Sequence, residues 1–146
     1  MLVVVGGYGE LLPVACQGTA GDAWQVMNAV LQKYGNSHDV SERVTRVLRH
    51  GLRLFDQAAK PYVPAMLASL TERFESTGLA NYVWIIGKVV DRFGVEDDSV
   101  LRAAITNAFE RVTGKFMAMC TESSIGQHSD GESYNDHRGR VRLTWI

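Results

Sequence analysis

From about Gly21 to about Cys120, apolar residues recur every three to four positions, and no strand-like alternation interrupts them. This sustained helical period, cut only by short turn signals, predicts five helices. The first spans roughly residues 22–34, with Asp22 as N-cap, Gly35 as stop, and Trp24, Val26, Met27, Val30 and Leu31 as its buried side. The second spans roughly 39–56, started by Ser37 or by His38-Asp39. The third opens near Pro61, a favoured first-turn residue, and ends at Gly78, with Val63, Met66, Leu67, Leu70 and Phe74 at helical spacing. The fourth covers about 79–93 and stops at Gly94. Its run of Tyr82, Val83, Trp84, Ile85, Ile86, Val89, Val90 and Phe93 is apolar almost all round, so the whole run reads as core, covered on more than one side. The fifth follows Asp97-Asp98-Ser99, which sets acids at the positive end of a helix, and continues through Phe116.

Helices of this length on short loops resemble stacked helical hairpins. The second and fourth are about 40 residues apart, the period of HEAT-type units, which bury their faces only against neighbouring repeats. The expected fold is therefore all-α, a HEAT-repeat α-solenoid over residues 20–120; on periodicity alone a single orthogonal five-helix bundle is the competing arrangement. Residues 1–19 differ: they are Gly-rich, carry no helical period, and read as an irregular N-terminal segment, strand or loop. They lack a basic n-region, which argues against a signal peptide. Residues 121–146 are rich in turn formers and read as a disordered or non-native tail.

The formal net charge of -1 leaves no overall basic field for nucleic acid, so any recognition of an anion must be local. No run of 18 apolar residues exists to span a membrane. The two cysteines, Cys16 and Cys120, form no spaced framework and read as reduced thiols of an intracellular protein.

The local candidate lies in the second helix. Arg43, Arg46, Arg49 and Arg53 are spaced three, three and four residues apart, which holds them within an arc of ~120°. Val44, Val47, Leu48, Leu54 and Phe55 fall on the other side. One side is thus buried and the other presents guanidiniums, whose planar forks suit phosphate or carboxylate. All four positions are arginine and none lysine, although a plainly solvated face has no need to choose. Asp39 and Glu42 precede Arg43 and Arg46 at i,i+4 spacing and can pair with them, leaving Arg49 and Arg53 open. His50 falls beside the stripe and reads as a surface histidine. Lys88, Arg92 and Arg102 read as solvated, while Lys60 and Arg73 are rim candidates.

Other chemistries find no support. The Gly6-Gly7-Tyr8-Gly9 cluster lacks the third glycine of a dinucleotide loop, since Leu12 stands there, and no βαβ unit follows. His38, His128 and His137 have no ligand partners at metal spacing. His128, Ser129 and Asp130 sit in a low-complexity tail that supplies no rigid catalytic scaffold. No enzyme, cofactor or metal site is expected.

Residues 40–94, through SERVTRVLRHGLRLF, PYVPAMLASLTERFESTG and NYVWIIGKVVDRFG, resemble the C-terminal third of the transportin-SR family, which are nuclear import receptors of the importin-β (karyopherin-β) superfamily. The most specific parts are Glu42-Arg43 with the arginines that follow, and Trp84, Gly87 and Val90-Asp91 through Phe93-Gly94. The resemblance implies a fragment of a longer superhelix that shuttles between nucleus and cytoplasm. It implies that Arg43, Arg46, Arg49 and Arg53 bind phosphorylated Arg-Ser-rich cargo from the inner face. It further implies Ran GTPase, bound through parts missing here, and nuclear pore proteins as partners, with no direct nucleic-acid or membrane contact. A general α-solenoid interaction scaffold, or a truncated and non-functional product, is the alternative.

Overall fold

The computed structural model describes residues 2–5, 10–13, 16 and 18–129. The Gly6-Gly7-Tyr8-Gly9 cluster, Asp130, His137 and the rest of the tail lie outside the described residues. The chain divides into two units, Met1–Lys115 and Phe116–Ile146. The first opens with strands β1 (Leu2–Val5) and β2 (Glu10–Pro13), paired antiparallel with Leu2 opposite Pro13 and Val5 opposite Glu10. Helices α1 (Thr19–Tyr34), α2 (His38–Phe55), α3 (Val63–Thr77), α4 (Ala80–Phe93) and α5 (Ser99–Ser129) follow. The fold is that of an all-α solenoid fragment. Short loops make α1–α2 and α3–α4 antiparallel hairpins, and the two hairpins pack face to face.

Local chemistry sets most boundaries. Ser37 caps α2 by accepting from the Val40 N–H. Gly78 ends α3 in the left-handed conformation at φ 69°, its N–H donating to the Phe74 carbonyl. Asp98 caps α5 by accepting from the N–H groups of Val100 and Leu101 at 2.9 and 3.1 Å. Three expected boundaries move. Helix α1 starts at Thr19, so Asp22 lies in its first turn and is not the cap, while the Thr19 hydroxyl donates to the Cys16 carbonyl. A 3-10 helix, Asp56–Tyr62, stands between α2 and α3, where the third helix was expected to begin. Pro61 and Pro64 withhold two N–H groups there, and α3 takes Pro64 into its first turn. Finally, α5 continues to Ser129, so helical backbone extends past Thr121, where the sequence reading starts the tail.

The core is made by Leu31 of α1, Val44, Leu48 and Leu52 of α2, Val63, Leu67 and Leu70 of α3, and Tyr82, Ile85, Val89 and Phe93 of α4. Within it the Tyr82 hydroxyl donates to the Gly35 carbonyl at 2.5 Å, tying α4 to the α1–α2 turn. Burial pushes this phenol above its usual titration range. An added Cβ at Gly35 would press on the Leu31 carbonyl and lie 2.9 Å from the Tyr82 oxygen. Tyr82→Phe, which orphans the Gly35 carbonyl, is expected to cost about 1–3 kcal/mol in urea unfolding. No helix among the described residues is long and apolar enough to cross a membrane.

Candidate functional site

Helix α2 buries Ser41, Val44, Thr45, Leu48 and Leu52 along one stripe. Arg43, Arg46, Arg49 and Arg53 all project from the opposite, open side and are exposed. The arginines are thus set apart from the buried stripe, but that stripe only partly coincides with the apolar side read from the sequence. Val47 and Leu54 are not buried as expected: they are 54% and 41% exposed. They face a largely apolar groove of about 660 Å³ that Trp24, Val26, Met27 and Phe55 also line, together with His50 and Arg53.

Each arginine has its own setting. Arg46 pairs with Glu42 at 2.5 Å, one turn back on the same helix. Asp39 does not take Arg43; it lies 3.8 Å from His38 Nδ1. Arg43 forms no ion pair among the described residues. Arg49 was expected to stand open, yet its guanidinium carbon lies 5.9 Å from the centre of the Trp84 ring on α4. That distance is within cation–π range.

Trp84 and Val83, which the apolar run places in the core, are 41% and 37% exposed. The helical wheel carries the signal that identifies Trp84. The buried residues of α4 lie within ~100° of one another, whereas Trp84 falls opposite them, between Lys88 and Asp91.

Helices α2 and α4 run side by side in one direction. Asn81 donates to Ser41 Oγ at 3.1 Å near their starts, and Arg92 donates to Asp56 at 2.5 Å where they end. This register brings the arginine face of α2 beside the outer face of α4. Arg92 is accordingly not a solvated residue but part of a polar clasp. It also pairs with Glu96 at 3.5 Å, while Lys60 pairs with Glu96 and Asp98 at 3.3 and 3.7 Å. Lys60 is thus bound into the fold and is no rim residue. Arg73 is largely buried too, with its side chain 15% exposed and against Glu72.

Hydrogen bonds from Gln57 and Lys60 hold the Glu96 carboxyl below its ordinary value of 4.5. Those from the Leu101 and Val100 N–H groups, with Lys60, do the same for Asp98. A lowered folded-state pKa gives stability that is present above the unfolded value and lost as pH falls through the folded one. The melting temperature is therefore expected to drop below about pH 4.5. In Glu96→Gln the deficit relative to the wild type should shrink over the same range in thermal melts followed by circular dichroism.

The described residues contain no group of three or more His, Cys, Asp and Glu that could hold a metal ion. What the site offers is a set of exposed guanidiniums, with the Trp84 ring near that of Arg49.

A family model described as the Transportin-3/Importin-13 fourth TPR domain matches residues 14–120. An uncharacterized protein of Schizosaccharomyces pombe is 25% identical over 117 residues, covering 79% of this chain and 12% of its own length. The chain thus spans about an eighth of that relative. No solved structure matches.

Proposed function

The chain belongs to the Transportin-3/Importin-13 family, and we propose that it supplies the cargo-binding segment of a nuclear import receptor. The cargo is a protein with Arg-Ser repeats carrying phosphoserine, held by Arg43, Arg46, Arg49 and Arg53. The observation that carries this reading is the exposure of all four guanidiniums on the open side of α2. Successive helical turns are ~5.4 Å apart and alternate residues of an extended chain ~6.6 Å apart, so one Ser-Arg repeat meets several arginines. A phosphoserine, with a charge near -2, displaces the half-exposed Glu42 from Arg46 at little cost. Ran GTPase, acting through parts of the receptor outside this chain, and nuclear pore proteins complete the transport cycle between cytoplasm and nucleus.

The test is binding of a Ser-Arg repeat peptide, phosphorylated and unphosphorylated, to the wild type and to Arg49→Ala/Arg53→Ala. Phosphate-dependent binding that the double variant loses supports the reading. Equal, weak binding in all four combinations defeats it. The affinity of the phosphorylated peptide should also fall steeply as salt rises, because the contacts are between exposed charges.

A further inference from the structure

We propose that Trp84 is the positioning residue of this anion site, and that the site is a seam between α2 and α4 rather than a stripe on α2 alone. The inference rests on the phosphoserine reading above and adds to it a residue on a second helix. Trp84 is a large aromatic on the outer face of a helix whose core contribution comes from Tyr82, Ile85, Ile86, Val89 and Phe93. Across the seam from its exposed ring lies the Arg49 guanidinium, at 5.9 Å.

The backbone register explains the meeting. Ser41 opposes Asn81 and Asp56 opposes Arg92, so Arg49 lies about three residues C-terminal to the level of Trp84. Helical side chains lean towards the N-terminus, and a long one covers roughly that distance. Arg49 therefore lies back across the seam onto the ring.

The consequence is pre-organisation. An exposed arginine loses most of its rotamer freedom when it takes a phosphate, and that loss subtracts from affinity. A cation–π attraction to Trp84 at 5.9 Å removes part of that freedom beforehand. Attraction to the ring does not use up the N–H groups, which lie in the guanidinium plane and stay available to a phosphate. Lysine cannot reproduce this arrangement, since its ammonium is a point charge without a flat face. The four arginines are thus unequal: Arg46 must exchange a carboxylate before it takes phosphate, whereas Arg49 is already aimed.

The test uses the whole chain and a phosphorylated Ser-Arg repeat peptide, with Trp84→Leu, Trp84→Phe, Arg49→Ala and the double variant Arg49→Ala/Trp84→Leu. Trp84→Leu is expected to weaken binding about two- to fivefold, and Trp84→Phe to restore most of the loss. In the Arg49→Ala background, Trp84→Leu should have no further effect, because the residue it positions is gone. A second readout needs no peptide: the Arg49 Nε–Hε resonance should be displaced by the ring current in the wild type and return to its random-coil position in Trp84→Leu. Additive losses in the double variant, unchanged binding by Trp84→Leu, or a random-coil Arg49 resonance in the wild type would each overturn the proposal. If the wild type itself shows no preference for the phosphorylated peptide, the import reading fails first and the binding role of Trp84 with it. If that preference stands and Trp84→Leu keeps it in full, only the role of Trp84 fails.

Discussion

Replacing Arg43, Arg46, Arg49 and Arg53 together with alanine is expected to weaken binding of a phosphorylated Ser-Arg peptide by about 100-fold or more, with little change in melting temperature. A hydrogen bond to a charged group contributes about 1–3 kcal/mol, and 1.4 kcal/mol is a factor of ten. Even with strong non-additivity among neighbours, four such contacts exceed two factors of ten. Stability should hold because all four side chains are exposed and the buried stripe of α2 is untouched. The single variants should rank by setting, with Arg49→Ala costing more than Arg46→Ala, whose guanidinium is engaged with Glu42 at 2.5 Å. Glu42→Gln should strengthen binding slightly, since it frees Arg46 and removes a negative charge from the path of the peptide. Four lysines in place of the arginines should restore only part of the affinity. Fluorescence anisotropy with a labelled peptide measures all of these. An unphosphorylated acidic peptide that binds as well and is lost in parallel would favour the general scaffold reading.

The arginine face was legible because it needs only one helix and one number, the rotation per residue. What the sequence did not disclose is pairwise. Nothing within α2 says that Asp39 turns to His38 and away from Arg43, or that Arg49 meets α4. Lys60 and Arg92 were misread for the same reason: their carboxylate partners Glu96 and Asp56 lie 36 residues away. The boundaries of α2, α3 and α4 were readable where Ser37, Gly78 and Gly94 impose them. The start of α1 was not, since Gly18 caps without a side-chain hydrogen bond. Nor was the 3-10 stretch, where Pro61 fits a helix start as well as the tighter turn. The length of α5 escaped because its last two turns carry no apolar period to read. The two strands remained open because Val3-Val4-Val5 suits a strand only if a partner pairs with it.

Phe93→Ala should destabilise the fold by about 3–5 kcal/mol, whereas Trp84→Leu on the same helix should cost less than about 1 kcal/mol. In the sequence the two aromatics look alike, nine residues apart in one apolar helix. In the fold Phe93 is fully buried and Trp84 is 41% exposed. Removing the fully buried Phe93 ring leaves an empty volume in the core, so the transfer loss and a cavity add together. It also strips the Arg92 guanidinium of the ring it lies over at 5.0 Å, at the point where Arg92 holds Asp56 and Glu96. The damage therefore extends from the core to the clasp that fixes the end of α2 against α4. A loss of 3 kcal/mol corresponds to a fall of at least about 10 °C in melting temperature for a unit of this size. Urea unfolding of both variants beside the wild type decides the matter. Equal losses would mean that Trp84 is core after all, and that the seam with Arg49 is an accident of packing.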